Sequence, residues 1–200
     1  MSVEGGQPTG GRPSHSVEGL QIEGLAIVSV DGMIADADGV QPDALKPDAD
    51  QRFFHEHLRA ADVLVHGRNS GEGDSAEAAL RRRIILTRRI SGLARDPQNE
   101  RAVLWNPAGP PFETACALLG VRTGRAAVIG GTEVFGLFLG DYQTFHLSRT
   151  GTIRLPGGRP VFPGVPSLSP EAILAQSGLR PESTPVLDPS ADLTMTTWRR

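Results

Sequence analysis

Arg125-Ala-Ala-Val-Ile-Gly-Gly-Thr-Glu133 is the stretch on which the fold turns. Ala126 to Ile129 is an apolar run without alternation, the pattern of a strand covered on both faces as in a parallel sheet. It runs straight into Gly130-Gly131, and Glu133 to Leu139 then reads as a short helix. Similar runs lie upstream: Leu25 to Val30 before the turn Asp31-Gly32, Asp62 to His66 closed by Gly67, Arg83 to Thr87, and Arg101 to Trp105. Helices are predicted from Pro47 to about Ala60 and from Pro111 to Leu119, the second ended by Gly120. Thr144 to Ser148 is a sixth strand, and Ser169 caps a short helix to Gln176 with Pro170 in its first turn. Strand alternating with helix predicts an α/β domain with a central, mostly parallel sheet and helices on both faces. Leu193 to Trp198, close to the terminus, reads as an antiparallel edge. Residues 1–19 are Gly, Pro, Ser and polar, and are expected to be a disordered tail; residues 20–200 form one domain.

Composition narrows the function. With 200 residues and 38% hydrophobic content, a core needs no staple. A net charge of −3 speaks against a general nucleic-acid binder, which needs excess Lys and Arg to neutralise phosphates. The single cysteine, Cys116, excludes an internal disulfide framework and a Cys-based zinc cluster. No apolar run approaches the ~18 residues of a membrane span, so a cytoplasmic protein is expected.

Several familiar sites are missing: there is no P-loop and no G-x-S-x-G elbow. His55 and His57 are two apart on a helix and project to different faces, so they cannot share an ion, and no metal is expected. Gly71-Glu-Gly-Asp-Ser-Ala76 matches G-x-G-x-x-A but does not open directly off its strand and holds two acids, which favours a solvated turn. Gly130-Gly131 stands where open α/β sheets bind ligands, and the backbone N–H groups of Thr132, Glu133 and Val134 would face a phosphate. The same residues would also make a tight turn with no ligand. Arg68 follows one strand and Arg88 and Arg89 the next, with Ser70 and Thr87 offering hydroxyls. Guanidinium groups beside a pyrophosphate site suit the extra 2′-phosphate of NADP. Arg81 to Arg83 read better as a solvated face. Asp50, Phe53, Phe54 and His57 share one helical stripe, so Asp50 is a carboxylate among rings whose desolvation would raise its pKa. The alternative is that Asp48 and Asp50 merely decorate the first helical turn.

With these segments assembled, the chain resembles the dihydrofolate reductase-like superfamily, and in particular the reductase domain of riboflavin-biosynthesis deaminase-reductases. Ser29-Val-Asp-Gly-Met-Ile-Ala35 is similar to the S-x-D-G-x-I-A opening, and Asp62 to Ser70 to the a-D-x-x-x-x-G-R-x-T segment. Ile84-Ile-Leu-Thr-Arg88 is similar to the strand with the S/T-R ending, Val128 to Gly131 to V-I-G-G, and Phe145 to Pro163 to the later strand and F-P. The resemblance spans about residues 22–200 and implies an eight-stranded sheet, NADPH as cofactor and a homodimer. It implies Ile34 and Ala35 near the nicotinamide, Gly130 to Phe135 at the pyrophosphate, and Gly67, Arg68, Asn69, Ser70, Thr87 and Arg88 around the adenosine phosphate. Asp50 would be the catalytic acid or substrate-orienting group, with Asp31, Phe54 and Arg81 on the substrate side. The implied activity is hydride transfer to a pyrimidine ribosylamine phosphate, as in 5-amino-6-(5-phosphoribosylamino)uracil reductases. Ser70 departs from the usual Thr, and the P-W of true dihydrofolate reductases is absent after Ala35. A dihydrofolate reductase with an altered pocket and a non-catalytic nucleotide-binding module are the alternatives.

Overall fold

β1 (Leu20–Val28) sets the architecture of the computed structural model, which describes residues 14–70, 76–183 and 185–200. Its side chains divide between two faces: Leu20, Ile22 and Val28 enter the large core, while Leu25 and Ile27 enter two smaller clusters on the other side. Such a strand must lie inside a sheet covered on both sides.

The other elements follow in order: β2 (Met33–Ala35), α1 (Asp48–Ala60), β3 (Val63–Gly67), α2 (Ala76–Ala79), β4 (Arg83–Leu86), β5 (Leu93–Asp96), β6 (Asn99–Trp105), α3 (Phe112–Leu118), β7 (Gly124–Gly130), α4 (Thr132–Leu137), β8 (Thr144–Thr150), β9 (Arg159–Pro160), α5 (Pro170–Gln176), β10 (Arg180–Ser183), β11 (Val186–Asp188) and β12 (Leu193–Arg199). Among the described residues the main sheet has ten strands in the order β10-β12-β8-β1-β7-β3-β4-β6-β5, with β11 also pairing β12. The six strands from β8 to β6 run parallel. Antiparallel strands close both edges, β5 against β6 and β12 against β8. The α/β reading and the antiparallel end at Leu193 thus hold. Ten strands replace the eight the resemblance implied, because a hairpin (β5–β6) and the short β10 and β11 extend the edges.

α3, α4 and α5 bury Phe112, Phe135 and Leu174 in the large core with Trp105, Phe138, Tyr142, Phe145 and Phe162. Gly24 is required there: a Cβ would stand 2.2 Å from the Phe145 ring. α1 covers the opposite face, where Leu58 meets Leu25, Leu64 and Ala127. That second layer is thin, and one helix roofs much of the site described below.

Residues 14–19, expected outside the fold, are held against it. Ser14 donates to Asp141 at 2.8 Å, and the buried His15 ring packs edge-on to Trp105 at 5.6 Å. The low-complexity composition of the tail hid this one aromatic anchor; residues 1–13 lie outside the described residues. Among the described residues no helix is long and apolar enough to cross a membrane.

Candidate active site

The carboxyl ends of the parallel strands hold two adjoining cavities. The first, about 450 Å³, lies between α1 and the upper halves of β1, β7 and β8; its walls include Ile34, Ala35, Phe54, Ile129 and Gly130. The second, about 830 Å³, lies beyond the ends of β3, β4 and β6, where Arg68, Thr87 and Arg88 meet the Asn106–Ala108 loop. Two loops serve both. Gly67 and Arg68 face the second cavity while Asn69 and Ser70 face the first; Glu133 and Val134 face the second while Gly130, Gly131 and Phe135 face the first.

The junction is built from residues without side chains. Gly130 has φ +121°, and the Gly130–Gly131 peptide is cis. A Cβ on Gly131 would stand 3.1 Å from the Ser70 hydroxyl, so glycine there eases the approach of the two loops, while one on Gly130 would stand 3.2 Å from the Phe135 ring of the helix that follows. α4 leaves directly from this turn. The Thr132 hydroxyl is spent on the Pro160 carbonyl, which ties α4 to the small β2–β9 sheet carrying Ile34 and Ala35.

Asp50 is the buried acid of the first cavity, 6% exposed in the first turn of α1. Burial raises its pKa, and a hydrogen bond with Ser148 on β8 opposes that rise without cancelling it. Phe53 and Phe54 line the same cavity, so the predicted stripe does present a carboxylate beside rings. Lys46, His55 and His146 are the other ionisable groups on these walls. His146 is pushed down to about 4, first by burial and then by His57 and two arginines, so its ring is neutral at neutral pH. Ser148 and His146 were missed as site residues. Their signal was present in Thr144-Phe-His-Leu-Ser148, whose polar residues alternate and therefore share one face of a strand.

Other predicted residues take different positions. Asp31 turns away from the first cavity: its carboxylate accepts from Ser29 Oγ at 2.6 Å and from the Leu155 N–H at 3.0 Å, closing the β1–β2 turn. Burial alone would raise its pKa; these hydrogen bonds and nearby Arg154 outweigh it and hold the carboxyl low. Arg81 stands before β4, at the opposite edge of the sheet, and its guanidinium pairs with Glu77 at 2.7 Å. It lines neither cavity, because the strand separates it from Thr87 at the other end. Thr87 is buried, and its hydroxyl accepts from the Arg89 N–H at 3.2 Å. Arg68 and Arg88 are exposed, and Arg88 lies 3.6 Å from the Glu133 carboxylate. The glycine-acid motif after Ser70 falls on residues 71–75, outside the described residues.

This arrangement is a dihydrofolate reductase-like α/β fold. Solved structures similar to the chain include a protein of Shewanella sp. PV-4 provisionally named for riboflavin biosynthesis, at TM-score 0.61 and 21% identity over 90% of this chain and 98% of that one. A diaminohydroxyphosphoribosylaminopyrimidine deaminase/5-amino-6-(5-phosphoribosylamino)uracil reductase of Thermotoga maritima is similar at TM-score 0.60 and 17% identity over 90% of this chain. The chain spans 56% of that bifunctional protein. No protein-family profile matches the sequence, and no curated protein matches it. At these identities the likeness establishes the fold.

Proposed function

We propose that the protein is an NADPH-dependent reductase that transfers hydride to a pyrimidine ribosylamine or a related heterocycle. The observation that carries this reading is the pair of cavities on one rim, joined at Gly130–Gly131, with a buried acid in one and arginines in the other. An extended dinucleotide suits such a shape: a flat ring in the smaller cavity, a pyrophosphate over the glycine junction and a phosphorylated adenosine in the larger one beside the arginines. The residues fit the group, since a Cβ on Gly131 would fill the junction and Arg68 and Arg88 supply guanidinium donors.

When bound, the cofactor supplies the hydride. Ile34, Ala35, Phe54 and Ile129 would offer the bound ring the apolar part of the first cavity's wall. Asp50, with its pKa raised by burial, holds a proton more readily than a solvent-exposed carboxylate and can donate it or orient an amine through the same oxygen. Ser148 fixes the direction of that carboxyl.

Absorbance assays of NADPH oxidation test this reading, with a pyrimidine ribosylamine phosphate and with dihydrofolate as acceptors. Turnover with the pyrimidine substrate and not with dihydrofolate is expected. NADPH binding without oxidation by either acceptor would leave a nucleotide-binding module in place of a reductase.

A further inference from the structure

His57 cannot share an ion with His55, but α1 brings it to different company. Glu23 on β1 and His146 on β8 point to the sheet face that α1 covers, and one ligand atom from each of Glu23, His57 and His146 lies within 4.8 Å of the other two. The register places them: Leu25 pairs with His146, so Glu23 is one same-face position away on the neighbouring strand. The His57 and His146 rings meet at 4.8 Å between centroids and 61° between planes. From this convergence we infer a binding site for one divalent transition-metal ion of the zinc class, with Glu23, His57 and His146 as its ligands. The inference does not rest on the reductase reading, although His146 also lines the first cavity.

The donor set is two imidazoles and a carboxylate from three separate elements, the composition of three-ligand zinc sites with an open fourth position. The outer contacts suit ligation. His57 Nδ1 lies 3.0 Å from the Phe53 carbonyl, which can only accept, so Nδ1 carries the hydrogen and Nε2 of the neutral ring keeps its lone pair. His146 Nδ1 lies 3.2 Å from the Thr197 hydroxyl, and where that hydroxyl accepts from Nδ1 it leaves Nε2 for the cluster. Metal-bound histidines carry this kind of outer hydrogen bond, which fixes ring and tautomer. Nitrogen and oxygen ligands about 2.0–2.2 Å from zinc stand roughly 3.3 Å apart, so modest inward rotation of two half-buried rings closes the site. Two guanidinium groups oppose a cation here. Arg125 holds Glu23 at 2.8 Å, and Arg199 lies nearby but is itself paired with Glu182 at 2.9 Å. A bound ion would join the last turns of α1 to β1 and β8, fixing the helix whose first turn carries Asp50.

Cobalt(II) titration of the full chain, stripped of metal by a chelator, tests the site through visible d–d absorption. One equivalent of cobalt is expected to bind, to be displaced by zinc, and to raise the melting temperature. His57→Gln and His146→Ala should each weaken binding by roughly a hundredfold or more, since even outer-contact losses cost 10–100-fold. Thr197→Val should weaken it by about tenfold. Arg125→Ala should tighten binding, because it frees the carboxylate and removes a like charge, whereas His55→Ala should leave the titration unchanged. Absence of saturable cobalt or zinc binding by the parent protein would overturn the site and leave a hydrogen-bonded ion-pair cluster. Binding that survives both His57→Gln and His146→Ala would overturn it equally, and the first of these variants alters only a half-buried helix position.

Discussion

The two cavities on the strand ends hold their charged groups in different ways. The first is roofed by a helix and floored by three strands, and its walls mix apolar side chains with polar ones around one buried acid. The second is more open, and its charged groups are exposed arginines, one of which, Arg88, lies 3.6 Å from the exposed Glu133 carboxylate. Chemistry that needs a shifted pKa belongs in the first, because desolvation acts only where water is excluded. Charge recognition belongs in the second, where long side chains stay hydrated until a ligand arrives. On the proposed function, the difference makes the reaction and the choice of cofactor separable, and variants should separate them.

The largest effect is expected at the acid. Asp50→Asn should lower kcat by about 10²–10⁴-fold, the usual contribution of a positioned proton donor, and leave NADPH affinity unchanged. A variant with parental turnover would remove Asp50 from the chemistry. Gly131→Val should come next, because it acts on both cavities at once: the added side chain meets the Ser70 hydroxyl and fills the junction. Loss of NADPH and NADH binding together, in a protein still folded by circular dichroism, is the expected result of a fluorescence titration. Arg68→Ala and Arg88→Ala should each weaken NADPH by about tenfold, near 1.4 kcal/mol, while NADH binding stays level. Equal losses for both coenzymes would mean that these arginines do not meet the 2′-phosphate. Glu133→Gln should tighten NADPH a few-fold, since it releases Arg88 and removes a carboxylate from the basic cavity.

A pH dependence distinguishes the cavities in stability as well. Because the folded protein raises the Asp50 pKa, the folded state keeps this proton over a window in which the unfolded chain has lost it. Stability therefore falls as pH rises through that window, from the ordinary carboxylate value to the raised one. Asp50→Asn removes this loss, so denaturant midpoints of the variant should gain on the parent above the window and not below it. Arg88→Ala should produce no such pH-dependent difference.

Much of the architecture was legible because burial leaves a periodic mark. Ala126 to Ile129 and Val63 to Val65 lack polar alternation since both of their faces are covered, and that constraint is local to the strand. The edges were harder to read. β5 has no fully buried residue and β10 is exposed throughout, which leaves no hydrophobic pattern to detect. In the site, Asp50 and the glycine pair could be placed from helix period and strand end alone. Arg81 and Arg88 look alike in sequence, yet β4 runs between them and carries one to each end of the sheet. Asp31 was misjudged because its carboxylate is used by its own turn, a role set by Leu155, 124 residues away. His15 was hidden by its low-complexity neighbours, although Trp105 and Phe138 give it a pocket.

The central claim is that one phosphorylated dinucleotide lies across both cavities over Gly130 and Gly131. A crystal structure of the protein with NADPH tests it most directly. The account predicts the nicotinamide between Ala35 and Gly130 and the adenosine phosphate beside Arg68 and Arg88; a coenzyme held elsewhere, with both cavities filled by water, would contradict it.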